Sequence, residues 1–245
     1  MRLIRGQGER KWGQTIHRAT ILFDLDGTIA DTAEDLIDAA NAALIAEGFP
    51  PASAGAIRPG VGYGAKAMLH GALGSAGRSA SAAQIQRLAE RLVAHYEDHI
   101  AIKTRLFPGF LETANGLRLQ GAKLALCTNK LERLVARLLP ALGIADLFDA
   151  QAGRDTFPFH KPDPRHVTEL VSAVGGQLPL AIMIGDSEAD IAAAKGAGVP
   201  VVAVRFGYAA VPPESLGADA ILDRFEELPG LIRAFLPLHE PGLTR

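Results

Sequence analysis

Two aspartates two residues apart, in Asp24-Leu25-Asp26-Gly27-Thr28, stand where the apolar run ATILF (19–23) stops and a glycine lets the chain turn. On a turning chain, carboxylates at that spacing approach one point instead of lying on opposite or distant parts of a strand face. A second acidic group, Gly185-Asp186-Ser187-Glu188-Ala189-Asp190, follows the apolar run from Leu180 to Ile184. Ordinary structure explains part of each. Asp and Gly are common in turns, and Ser187 with Asp190 three residues on spells a capping box for a helix. Asp186 is left without a task. Acids gathered at one sheet edge repel unless positive charge lies between them. Mg²⁺, a hard cation that takes one or two carboxylates together with waters and substrate phosphate, meets that demand.

Two further polar signals sit at the ends of other apolar runs. Thr128-Asn129 closes KLALC (123–127), and Lys161 lies in His160-Lys161-Pro162-Asp163-Pro164. A hydroxyl and backbone amides where a strand passes into a helix suit phosphate oxygens, and a lysine supplies a fixed positive charge. Taken singly they read as a cap and a solvated turn; placed at separate strand ends of one sheet they point to a shared site. Other candidates read as ordinary structure. His95 and His99 share a helix face with no third ligand in view. Cys127 is the single cysteine, so it forms no disulfide within the chain and reads as a small apolar residue.

The elements that must hold these residues follow from the period of the chain. Short runs apolar on both faces recur at 19–23, 123–127, 180–184 and 200–204, and helical patterns lie between them, as in Leu131 to Leu142 with Leu at 131, 134, 138 and 142 and the alanine-rich Ile191 to Gly198. This alternation predicts an α/β fold, a doubly wound parallel sheet of Rossmann type. From Thr32 to Arg105 the rhythm breaks: only helical stretches appear, including SAAQIQRLAERLVAHYEDHI, separated by Gly/Pro/Ser-rich segments. That block predicts a small all-helical cap domain, 31–106, inserted between 19–30 and 107–235 of a discontinuous core, with hinges near Thr28 to Ala33 and Arg105 to Gly109. Residues 1–18 read as a flexible extension, and ADAIL with Phe225 to Phe235 as a last strand and helix.

Composition excludes several classes of function. Of 245 residues, 48% are hydrophobic and 21% charged, with a formal net charge of -2, which is ordinary globular usage without the basic stripe of a nucleic-acid-binding protein. The apolar runs fall short of the about 20 residues that span a bilayer, and the basic start lacks a signal peptide's apolar segment. The expectation is a cytoplasmic monomer or homodimer that meets neither membrane nor nucleic acid.

The order DLDGT, TN, KPDP, GDSEAD resembles the haloacid dehalogenase superfamily across Ala19 to Asp223. Within it Arg58-Pro59-Gly60-Val61-Gly62-Tyr63-Gly64, LCTNK, HKPDP and Arg205-Phe206-Gly207-Tyr208 are most similar to the phosphoglycolate phosphatase branch. The resemblance implies a Mg²⁺-dependent phosphomonoesterase for a small phosphate ester, with Asp24 as the nucleophile that becomes an aspartyl phosphate and Asp26 as general acid and base. It also implies Asp24, Asp186 and the Asp26 carbonyl as metal ligands with Asp190 behind them. Thr128 and Asn129 would hold the phosphoryl oxygens, and Lys161 would offset the charge. Specificity would lie in the cap, where Arg58, Gly62 and Lys66 are candidates by position. A phosphosugar mutase on the same scaffold and a phosphoacceptor signalling domain are the alternatives; Asp26 beside the acceptor and the helical insertion speak against the latter.

Overall fold

The structure is a computed structural model that describes residues 16–237. Along the chain run β1 (Thr20–Phe23), β2 (Ala30–Asp31), α1 (Ala33–Ala46), α2 (Ala54–Ile57), α3 (Ala65–Ser75), α4 (Ala82–Asp98) and β3 (Arg105–Leu106). There follow α5 (Phe110–Leu119), β4 (Lys123–Cys127), α6 (Glu132–Ala141), β5 (Ala150–Ala152), α7 (Arg165–Ala173), β6 (Ala181–Gly185) and α8 (Glu188–Gly196). The remaining elements are β7 (Val201–Val204), β8 (Ala220–Leu222) and α9 (Leu228–Phe235). Six strands form one sheet in the order β5-β4-β1-β6-β7-β8, every pairing parallel. This is the doubly wound sheet expected from the alternating pattern.

The period of two in each strand divides its side chains between two cores. Ile21, Phe23, Leu124, Leu126, Ile182 and Ile184 pack on one face with helices α5 and α9 and part of α6. Leu22, Ala125, Cys127, Met183, Val201 and Ala203 pack on the other with α7 and α8. Phe23 meets the Phe110 ring edge-on at 5.6 Å, an arrangement worth about 0.5–1.5 kcal/mol beyond area burial. Both faces are therefore anchored where β1 must be rigid. Helices α1 to α4 share a third cluster of their own, built on Leu36, Leu44, Leu69, Leu88 and Leu92. Helix α4 opens on a capping box in which the Ser81 hydroxyl accepts from Gln84 N–H and Gln84 Oε1 accepts from Ser81 N–H.

Three details depart from the sequence reading. Residues 16–18, assigned above to the extension, belong to the packed structure: Ile16 is fully buried in the first core and Arg18 N–H donates to Gly121 O; residues 1–15 lie outside the described residues. Strand β5 was not anticipated, because Ala-Gln-Ala carries no β-branched residue, and tertiary pairing with β4 overrides that weak propensity. The two connections to the helical segment are paired as antiparallel β2 and β3, with Ala30 opposite Leu106 and Asp31 opposite Arg105. At that junction the buried Asp35 carboxylate accepts from the backbone N–H groups of Lys103 and Thr104 and from the Thr104 hydroxyl. Among the described residues no helix is long and apolar enough to cross a membrane.

Candidate active site

Strands β4, β1 and β6 are neighbours, so their carboxyl ends place Thr128, Asp24 and Asp186 side by side. The chain leaves β1 toward β4 and leaves β6 toward β7, in opposite directions, which opens the crevice where doubly wound folds bind ligands. A cavity of about 430 Å³ lies there between the strand ends and the helical segment. Its walls include Asp24, Asp26, Thr128 and Asn129 from the core, and Gly62 and Lys66 from the helical side. Arg58 does not line it; its guanidinium lies over the Tyr208 ring, 5.5 Å from the centroid, where the π face attracts the cation.

Lys161, delivered by the loop before α7 and only 2% exposed, stands directly behind Asp24. Its Nζ donates to Asp24 Oδ1 at 2.8 Å, Asp190 Oδ1 at 2.6 Å and the Cys127 carbonyl at 2.5 Å. All three donor positions of the ammonium are used, so the charge is fixed in place. Asp190 is equally committed. Its Oδ2 accepts from Ser187 Oγ at 2.6 Å, Ser187 N at 3.0 Å and Asp186 N at 3.2 Å, and the capping box of α8 is complete. One aspartate thus starts the helix and accepts a hydrogen bond from the lysine.

Asp26 is held differently. Its Oδ1 accepts from Thr32 Oγ1 at 2.6 Å and from Lys130 Nζ at 2.8 Å, while Oδ2 has no hydrogen-bond partner among the described residues. Lys130 itself is buried against the Tyr96 ring, 4.4 Å from the centroid. Burial works against its charge, but Asp26 and Tyr96 outweigh that and hold its pKa above the ordinary lysine value. The sequence reading gave Lys130, Thr32 and Tyr96 no role. Lys130 had one available signal, its place directly after Thr128-Asn129 at a strand end.

The charge balance behind the cavity asks for a cation. Carboxylate oxygens of Asp24, Asp186 and Asp190 lie within 4.8 Å of one another, all buried, and Lys161 pairs with Asp24 and Asp190 only. Burial raises Asp24 to about 6 despite Lys161, and burial together with Asp24 and Asp190 raises Asp186 well above the carboxylate range. Asp186 Oδ2 accepts from Tyr208 N–H, and its Oδ1 is buried with no partner among the described residues. An orphaned carboxylate oxygen beside a second carboxylate fits a hard divalent cation, with Asp24 and Asp186 as its protein ligands and Asp190, its oxygens already used, as their support.

Close packing fixes Asp186 from the other side as well. A β-carbon on Gly207 would lie 2.2 Å from Asp186 Cβ, an overlap that forces the two residues apart. Gly207→Ala is therefore expected to shift this candidate ligand and cost about a hundredfold in turnover, the loss that a misplacement of about 1 Å can cause. Rates measured against divalent-cation concentration test it: the variant needs more cation for half-maximal rate, whereas an unchanged cation requirement would show that Asp186 does not ligate.

The chain is similar to known proteins over most of its length. The family model described as haloacid dehalogenase-like hydrolase matches residues 21–204. A phosphoglycolate phosphatase of Caulobacter vibrioides is 44% identical over 214 residues, covering 87% of this chain and 90% of that protein. One of Agrobacterium fabrum is 40% identical over 207 residues, covering 84% and 89%. The crystal structure of a predicted phosphoglycolate phosphatase from Haemophilus somnus superposes with a TM-score of 0.82 at 30% identity, covering 89% of this chain and 99% of that one.

Proposed function

The chain belongs to the haloacid dehalogenase-like hydrolases and is a phosphatase of that superfamily, and from this premise we propose that it hydrolyses 2-phosphoglycolate to glycolate and phosphate through an aspartyl phosphate on Asp24. The observation that carries the reading is the pairing of Asp24 with Lys161 at the cavity floor while Asp26, two residues on, is held by Thr32 and Lys130. Each carboxylate has a lysine on Oδ1 and an Oδ2 without a hydrogen-bond partner among the described residues, but Asp24 lies in a cluster with Asp186 and Asp190, whereas Asp26 stands outside that cluster and is oriented by Thr32. Two acids in different surroundings suit two different tasks.

In the first step an Asp24 carboxylate oxygen attacks phosphorus and the bond from phosphorus to the ester oxygen breaks. The departing alkoxide takes the proton carried by Asp26 Oδ2, the oxygen that Thr32 and Lys130 leave unengaged. In the second step Asp26 removes a proton from water, the water oxygen bonds to phosphorus, and the acyl-phosphate bond breaks to restore the Asp24 carboxylate. Thr128 and Asn129 hold the transferring oxygens, and Lys161 offsets negative charge at Asp24. Mg²⁺, held by Asp24 and Asp186 with the Asp26 carbonyl, would supply electrostatic stabilisation of the transferring group. Residues 31–106 act as a cap that excludes water, and the β2–β3 pair is the hinge. The setting is the cytoplasm.

Asp26→Asn tests the assignment of the acid. Because a phenolate leaves without help, the first step on an aryl phosphate is expected to be spared relative to an alkyl phosphate by about tenfold or more, within the about 10²–10⁴-fold that general acid catalysis contributes. Single-turnover rates on p-nitrophenyl phosphate and ethyl phosphate decide it, and equal loss on both would remove Asp26 from that role. A phosphate-release screen over 2-phosphoglycolate, hexose phosphates, nucleotides and pyrophosphate with Mg²⁺ tests the substrate: preference for phosphoglycolate is expected, and a flat profile contradicts it. Conversion of a hexose 1-phosphate with little phosphate released would instead identify a mutase.

A further inference from the structure

Two cations of the cavity wall are not used by the chemistry just described. Of the charged residues lining it, Asp24 is paired with Lys161 and Asp26 with Lys130. Lys66, in the first turn of α3, and Arg154, on the loop after β5, make no ion pair among the described residues. Arg154 is held at this edge by its backbone. Its N–H donates to the Lys130 carbonyl at 2.8 Å, which ties the loop after β5 to the Thr128-Asn129-Lys130 loop. Gly153 makes that approach possible, since a β-carbon there would lie 2.8 Å from both Lys130 O and Glu132 N. The helical side meets the same guanidinium: a β-carbon on Gly64 would lie 3.6 Å from Arg154 Nη1. Arg154 is half-buried, its charge at the seam where core and helical segment close on the cavity.

A phosphoryl group alone does not require these residues. It has Lys161, the Thr128-Asn129 loop and the candidate cation site, and a second anion on the substrate would be needed to engage Lys66 and Arg154 as well. We propose that Arg154, together with Lys66, is the specificity-determining group of this cavity and binds the carboxylate of the proposed substrate. The planar fork of an arginine matches a carboxylate with two parallel hydrogen bonds, and in a partly desolvated cavity each such bond is stronger than in water. Arg154 bridges the carboxylate and the strand-end loop, and Lys66 closes on it from the helical side. Residue 154 carries this role from the core, so recognition begins before the helical segment closes.

The proposal rests on the phosphatase reading, and the two are separable by experiment. Wild-type chain, Arg154→Ala and Lys66→Met are assayed with Mg²⁺ on 2-phosphoglycolate and on ethyl phosphate, which has the same length without the charge. In Arg154→Ala the ratio of kcat/KM for phosphoglycolate over ethyl phosphate is expected to fall about tenfold to a hundredfold, the span for losing a hydrogen bond to a charged group. The change should reside mainly in KM. Inhibition by phosphonoacetate should weaken in step while inhibition by inorganic phosphate does not, and Arg154→Lys should restore part of the ratio. An unchanged ratio in both alanine and methionine variants, or equal weakening of phosphonoacetate and phosphate, overturns the subsite and leaves the phosphatase standing. A wild-type chain that releases phosphate from neither ester nor from p-nitrophenyl phosphate overturns both.

Discussion

Asp24→Asn is expected to abolish phosphate release, with a loss on the order of 10⁴-fold or more, as when the nucleophile of a covalent mechanism is removed. The substitution keeps the shape of the side chain and its hydrogen-bonding place before Lys161, so the fold should survive. Asp24 is 5% exposed and its N–H is bonded to Ile184 O in the sheet, and neither contact depends on the second carboxylate oxygen. What is lost is the anionic oxygen that attacks phosphorus. Steady-state assays on any accepted ester, with circular dichroism as the control for folding, measure it. Robust turnover by a folded Asn variant would mean that water or another group attacks.

Lys161→Met is expected to act on stability and activity together. The lysine is the fixed cation of a buried group in which Asp24, Asp186 and Asp190 lie within 4.8 Å. Removing one partner of a buried ion pair costs about 3–5 kcal/mol, because the charges left behind are uncompensated. At about 2–4 °C per kcal/mol for a chain of this size, the thermal midpoint should fall by about 6–20 °C. Mg²⁺ should recover more of the midpoint in the variant than in the wild type, since the same carboxylates then depend on it alone. Activity should fall by about 10²–10³-fold or more even at saturating Mg²⁺, the range for losing one preorganised donor. A variant with wild-type midpoint and rate would show that Lys161 balances nothing that matters.

Much of this site was legible because the chain marks it with contrast. Asp24, Thr128 and Asp186 each end an apolar strand, and a polar residue at such a point has no reason to be there for packing. Lys161 stood out as a cation between a histidine and prolines. Residues whose role depends on meeting a distant partner were not legible. Lys130 acquires its place only where the loop after β4 approaches Asp26 and Tyr96. Arg154 follows a strand too weak in propensity to be noticed. Arg58 was singled out by its neighbourhood to Gly60, Gly62 and Gly64, but the chain turns there through a 3₁₀ segment, Arg58–Tyr63, and its guanidinium settles over Tyr208 while Lys66, in the first turn of α3, lines the cavity. The fold shows the same division. Strands buried on both faces were read from their apolar runs, whereas β2, β3 and β5, short and set by pairing, were not.

The measurement closest to the centre of this account is rapid acid quench of the Mg²⁺-loaded protein during turnover of its preferred ester, followed by peptide mapping for covalently bound phosphate. The account predicts one acid-stable, hydroxylamine-labile phosphoryl group on the peptide that contains Asp24, formed and lost at rates compatible with turnover. Steady turnover with no phosphorylated peptide at any time point, or with the group on another residue, would contradict it.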